Sequence, residues 1–251
     1  MATIAMQTGA RSRQRHFLDR WFFTSVAGVM IALCMAAFLP SIVYADARRA
    51  PLSILAITHG VIFFAWLLLF LIQSVLIGAK HMTLHRRLGW LGAGFIALMI
   101  PLGYATTIQM IRRGFDLSGD LRIVNDARPE SIFAFHDLLA FSLLSIAAFA
   151  YRRRPEIHKR LMLFANIVLM PAPLAHLIGH SPQLAAMPAA IVMLPISIFV
   201  VSAVARDFLI AKRVHPLTWV LATVQIVSGP LEAGLIGPSA AWRQLAGWLA
   251  S

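Results

Sequence analysis

THGVIFFAWLLLFLIQSVLIGAKHMTLHRRLGW, residues 58–90, and FHDLLAFSLLSIAAFAYRRRPEIHKRLML, residues 135–163, follow one plan. Each places a histidine, His59 or His136, at the head of an apolar run. A basic loop follows, and a His-basic-Arg-Leu sequence, at His85 or His158, opens the next run. His59 and His85 stand 26 residues apart and His136 and His158 stand 22 apart, a difference that fits in the loop carrying the extra His81. The pattern reads as a duplicated helical hairpin with a histidine at each membrane face. A third, incomplete echo is AKRVHPLTWV from Ala211, where His215 again follows a basic loop.

The rest of the chain supports a bilayer setting. Of its 251 residues, 59% are hydrophobic and 13% charged, whereas an ordinary soluble domain is about 25% charged. Several apolar runs reach the roughly 20 residues needed to span a membrane. Spans are expected at about 21–44, 52–78, 88–111, 131–151, 161–179, 184–205 and 216–236. The fold class is therefore all-α: a polytopic membrane protein of seven transmembrane helices, with spans two to five as a four-helix core. Residues 1–20 read as a basic tail, 21–237 as one transmembrane domain and 238–251 as an interfacial tail with Trp242 and Trp248. The 21–44 run exceeds a signal-peptide core, which is about 7–15 residues.

The net charge of +12 has a direction. Lys and Arg collect in alternate loops: around Arg11 to Arg20, Lys80 to Arg87, Arg152 to Arg160, and Arg206 to Arg213. That asymmetry places the N-terminus and those loops in the cytoplasm of a bacterial inner membrane, with the C-terminus external. It argues against nucleic acid, which calls for one gathered basic face. The loop 112–130 mixes Asp116, Asp120, Asp126 and Glu130 with arginines and suits an external cap. A single cysteine, Cys34, excludes an intramolecular disulfide, a four-cysteine metal site and covalent c-type haem attachment.

Histidine is the residue left to carry chemistry. His81, His85, His158 and His215 fall at the cytoplasmic layer, and His59 and His136 at the external one. His176 lies 18 residues after His158, about 27 Å along a helix at 1.5 Å per residue, and so joins the external layer with His180. Bundle cofactor sites are built from side chains on facing helices. Spans two and four run in the same direction and could present His59 and His136 at one level; spans three and five could present His85 and His158 at the other. Two b haems, each between two imidazoles, would form an electron path, with Arg86, Arg87, Arg154, Lys159 and Arg160 as propionate partners.

This arrangement resembles the ascorbate-reducible transmembrane cytochromes b, in which four consecutive helices each give one histidine in the same alternating scheme. The resemblance covers about residues 52–181 and implies haem ligation by His59, His85, His136 and His158. The His-basic-Arg-Leu-Gly run from His85 to Gly89 is similar to that of uncharacterised bacterial multi-pass membrane proteins, and that likeness implies a fold alone.

The alternative is a membrane factor that binds copper, zinc or iron or assists a respiratory complex. His176 and His180 form HxxxH, with both imidazoles on one helical face. With His59 and His136 they could offer four nitrogens, and Asp137 or Glu232 a carboxylate. Gln73, Asn166 and Gln225 read as interhelical hydrogen-bonders, and the Gly89, Gly92 and Gly94 cluster as a site of close helix packing.

Overall fold

The computed structural model describes residues 2–44, 51–116, 119, 121, 123, 125–180, 183 and 194–251, with 2–18 and 194 given by backbone alone. Helices account for nearly all of it, and no strand occurs among the described residues. In chain order they are α1 (Ala2–Val43), α2 (Ile54–Gly78), α3 (Met82–Arg113), α4 (Ser131–Ala150), α5 (Pro155–Ile167) and α6 (Pro171–Gly179). Then come α7 (Leu194–Ala211), α8 (Pro216–Leu231), a π-helical turn (Glu232–Ile236) and α9 (Ala240–Leu249). Six helical stretches are long and apolar enough to cross a membrane: Asp19–Val43, Ile54–Gly78, Met82–Arg113, Ser131–Ala150, Pro155–Gly179 and Pro216–Ile236. Their surface carries Ile57, Val61, Leu98, Leu143 and Val220 more than half exposed, as a multi-pass protein facing lipid requires.

Differences from the expected spans have local causes. The chain before Trp21, read as a tail, is helical from Ala2. Helix α3 begins at Met82, before the apolar run, because Lys80 takes a left-handed φ of 65° that turns the chain into it. His85 therefore stands one turn inside a helix. Helix α5 likewise begins at Pro155, whose missing N–H costs nothing at a first helical position, so His158 lies in the first turn. The expected fifth span is broken between Ile167 and Pro171, where Leu169 and Met170 donate to the carbonyls of Asn166 and Ile167 in tighter turns. Of the expected sixth span, residues 184–193 lie outside the described residues. Helix α7 supplies the remainder.

The Pro155–Gly179 stretch is the centre of the molecule: 56% of its apolar window is buried, against 11% for Pro216–Ile236. One apolar cluster joins Val26 and Met30 of α1 to Leu67 and Phe70 of α2, Phe164 and Ile167 of α5, and Val200 and Ala203 of α7. A second joins Trp66, Ile96, Met99, Phe141, Ala165 and Val168. Trp66 meets Phe141 edge-on at 5.3 Å, and its indole N–H donates to Asn166 Oδ1 at 3.1 Å. Asn166 donates in turn to the Met162 carbonyl at 2.8 Å, so this fully buried amide has partners on both sides. Close approach falls on Gly92, where a Cβ would stand 3.3 Å from Phe149, and on Gly103, where it would stand 2.7 Å from Leu138. Gly89 and Gly94 meet nothing. Only one member of the expected glycine cluster is a packing glycine.

Beyond α3, Gly114 at φ 72° ends the helix, and a Cβ there would strike the Asn125 backbone at 2.9 Å. Buried Asp116 accepts from the N–H groups of Gly119 and Leu121. Helix α9 packs against this loop. Trp242 donates to the Arg128 carbonyl at 2.8 Å, and Arg112 to the carbonyls of Ala250 and Ser251.

Candidate functional site

The bundle has a basic end, holding the α2–α3, α4–α5 and α7–α8 connections, and a far end, holding the 112–130 loop and α9. At the basic end the rings of His85 and His158 come together from α3 and α5, with centroids 6.5 Å apart and planes at 75°. For His158 a hydrogen bond fixes where the proton sits. His158 Nδ1 lies 2.8 Å from the Ala148 carbonyl oxygen, which can only accept. His158 is therefore an Nδ1–H donor with its Nε2 lone pair free.

His85 has a different neighbour. Gln73 of α2 stands against His85 Nδ1, 3.2 Å from the His85 carbonyl and 3.0 Å from the Gly89 N–H. The Gln73 side-chain amide thus links α2 to the first turns of α3 at His85 and Gly89.

Basic side chains surround this pair, but not all of them are available. Lys159 is tied to Glu156 at 2.6 Å, and Arg160 is engaged by Glu156 and Asp207. Arg86, Arg87 and Arg154 are exposed.

Beside the pair lies a buried charge network that sequence reasoning missed. Arg160 grips Asp207 with two bonds, Nε to Oδ2 at 3.0 Å and Nη2 to Oδ1 at 2.6 Å. Thr218 Oγ1 donates to Asp207 at 2.6 Å, the His215 N–H does so at 3.2 Å, and Arg206 Nη1 does so at 3.0 Å. Arg206 continues to Asp19 of α1 and stacks over Phe23. Four helices, α1, α5, α7 and α8, thus share one carboxylate and its neighbours. The signal was present in ARDFLIA, a carboxylate inside an apolar run. By position alone Arg160 and Arg206 read as loop charges. His215 serves as a helix cap, its Nδ1 accepting from the Leu217 N–H at 3.1 Å.

At the far end the expected pair does not meet. The rings of His59 and His136 share no contact among the described residues. His59 stacks on Phe63 at 4.0 Å and lies 3.4 Å from Thr106 Oγ1. The Thr106 hydroxyl gives its proton to the Gly103 carbonyl, so toward His59 it accepts, and His59 carries an Nδ1–H. His176 packs its ring against Phe38 at 4.9 Å. His180 closes the end of α6 by donating its N–H to the His176 carbonyl. His136 points Nδ1 at Glu232 Oε1, 3.0 Å away, with Asp137 Oδ1 at 3.6 Å. Glu232 reaches it because the π-helical turn after Pro230 swings the residue inward, where it is buried.

Among the described residues no group of three or more His, Cys, Asp or Glu converges as a metal would require. The side chain of His16 lies outside the described residues, and exposed His81 stands at the N-terminus of α3. No protein-family model, no curated protein and no solved structure matches the chain.

Proposed function

We propose that this is a seven-span membrane redox protein that holds one b-type haem at its basic end, between His85 and His158. In this reading α7 is the seventh crossing, spans two to five form the cofactor-bearing core, and the basic end faces the cytoplasm of a bacterial cell. One observation carries the cofactor: the 6.5 Å between the two ring centroids. Two metal–nitrogen bonds of about 2 Å each, added to the radii of two imidazoles, give roughly this separation.

The donor set favours haem over a bare ion. Two imidazoles with no third ligand fall short of the four that zinc takes, whereas a porphyrin supplies the other four positions of a six-coordinate iron. Anchoring Nδ1 and leaving Nε2 free is the arrangement that orients ligating histidines, and His158 has it. One turn beyond His85, Gly89 leaves open space where a Cβ would stand, and exposed Arg86 and Arg154 are within the same layer for propionates. The haem would supply one-electron chemistry. The chain's own part is to hold the two imidazoles, keep water from the apolar interior and balance the propionate charge.

A second haem at the far end would need the rings of His59 and His136 to come together, and they share no contact among the described residues. For that reason the reading commits to one. The test is a reduced-minus-oxidised spectrum and iron analysis on the detergent-purified protein. About one iron per chain is expected, lost in His85→Ala and in His158→Ala and kept in His59→Ala and His136→Ala. Full haem content in the His85/His158 double variant would overturn the reading.

A second reading rests on the far end. An imidazole against two carboxylates inside apolar helices is an expensive arrangement and marks a site for a proton or cation. A membrane factor without haem would then be expected. Its sign would be a stoichiometric metal, or a partner complex, abolished by Glu232→Gln in a protein lacking b-type bands.

A further inference from the structure

Where α3 meets the end of α4, the outer surface carries a feature that the histidine pair does not use. Gly92 stands level with Phe149 and Gly103 with Leu138, so the two helices run antiparallel in a fixed register. Two residues before Gly92 is Trp90, 68% exposed. Just past the end of α4 is Arg152, whose guanidinium lies over the Trp90 ring, 5.8 Å from its centroid. Arg152 Nη1 also donates to the Phe149 carbonyl at 3.1 Å. A ring face and a carbonyl thus hold this guanidinium in place, and most of its five N–H donors stay unspent.

Charge is out of balance here. The described acids of the basic end are Asp19, Glu156 and Asp207, and each is already paired, with Arg206, Lys159 and Arg160 among their partners. Arg152 and its neighbour Arg153, both exposed, meet no acid among the described residues. The surface running away from them along the two helices is apolar. Leu98 of α3 and Leu143 and Ile146 of α4 are more than half exposed, and Gly94 leaves open space where a Cβ would stand. A partner that fits must carry a negative group at the height of Trp90 and hydrocarbon beside the leucines. A phospholipid of net negative charge has both.

We propose that Arg152, Arg153 and Trp90 form a binding site for an anionic phospholipid, with its phosphate on the arginines and its acyl chains along the outer faces of α3 and α4. The planar arginine fork matches two phosphate oxygens, and Trp90 keeps it at headgroup height, where indoles settle in a bilayer. Phosphatidylcholine carries the same phosphate together with its own cation, so it leaves the arginine charge unbalanced. Selection is therefore for net negative charge. The inference rests on the bilayer setting alone, since the haem reading calls on Arg86 and Arg154 instead.

Trp90 supplies the reporter. Full-length protein is reconstituted in phosphatidylcholine vesicles containing a minor fraction of brominated phosphatidylglycerol, or the same fraction of brominated phosphatidylcholine. Bromine on the acyl chains quenches nearby tryptophan, and the Trp90 contribution is the difference between the unaltered protein and Trp90→Phe. The anionic lipid is expected to quench Trp90 at about fivefold lower mole fraction, the preference that one arginine near an anionic surface supplies. That preference should vanish in Arg152→Gln, weaken in Arg153→Gln, and survive in the Lys212→Gln/Arg213→Gln variant, which removes two exposed cations from another loop of the same end. Equal quenching by both lipids in the unaltered protein would overturn the site. An equal loss in the Lys212/Arg213 variant would overturn it too, by showing attraction to the overall charge. Loss of the preference in excess inorganic phosphate at constant ionic strength would show that the arginines take a soluble anion, and would overturn the lipid as occupant.

Discussion

At the basic end, Asp207 is gripped by Arg160, Arg206, Thr218 and a backbone N–H, and Arg206 passes the contact on to Asp19. At the far end, His136 reaches one carboxylate at 3.0 Å and a second at 3.6 Å. The first set is closed: opposite charges meet from four helices and most polar groups are used. The second is short of cations, since one imidazole faces two acids. A saturated network holds helices in place, whereas an unsaturated one leaves capacity to take up a proton or ion. The saturated set also stands beside the His85–His158 pair, where a fixed spacing between two helices is the property a shared ligand needs.

The sharpest way to break this contrast is Asp207→Ala. It would take the shared carboxylate from two buried guanidinium groups, leaving Arg160 with Glu156 and Arg206 with Asp19, and removing one partner of a buried pair costs about 3–5 kcal/mol. Thermal unfolding in detergent should show a large loss of stability, or no monodisperse protein at all. A stability close to the unaltered protein would mean the network is not a lock.

A smaller loss is expected midway between the two ends. Trp66→Phe removes the donor to Asn166 Oδ1 and leaves a buried acceptor unmet, at a cost of about 1–3 kcal/mol. The same thermal measurement checks it, and Asn166→Leu in that background should recover part of the loss.

Glu232→Gln tests whether the ends are independent. It should lower stability by about 1.5–3 kcal/mol, the scale of a hydrogen bond to a charged group, while leaving any basic-end optical signal unchanged. A shifted signal would show that the two ends are coupled through the bundle.

The smallest effect belongs to the far-end loop. Arg128 donates to Asp126 and holds its carboxyl below the ordinary value of 3.8, and the same Arg128 gives its carbonyl to Trp242. A carboxyl with a lowered folded value adds stability above its unfolded value, and loses it as pH falls through the folded one. The docking of α9 should therefore be unchanged from neutral pH to about 4 and loosen below. Trp242 fluorescence should report that loosening, and in Asp126→Asn it should not depend on pH over this window.

How much of this could be read beforehand varies by element. The apolar runs gave α2 and α4 within about two residues, the usual uncertainty of helix ends, because a lipid-facing helix must be apolar throughout its length. The starts of α3 and α5 were placed late, since polar first turns such as MTLHRR and PEIHKR look like loop. Position 207 is not legible in the sequence because its partners, Arg160 and Thr218, are 47 and 11 residues away. The interhelical reading of Gln73 and Asn166 has its counterpart in the contacts with His85 and Trp66. Gln225, half-buried on α8, shows no such contact: its carbonyl accepts from Ser228 of the same helix.

What the sequence determined by itself is the class: a chain this apolar, with histidines at both ends of its runs, must satisfy its backbone in helices when water is absent. It also narrowed the candidates for chemistry, because with one cysteine and few acids the imidazoles are nearly all that remain. Pairing was decided by the tertiary structure. Whether His136 faces His59 or Glu232 depends on a π-helical turn near the other end of the chain, and whether His85 meets His158 depends on how α3 and α5 are turned toward each other. Both are questions of rotation about a helix axis, and spacing along a sequence fixes height in the membrane far better than it fixes that angle.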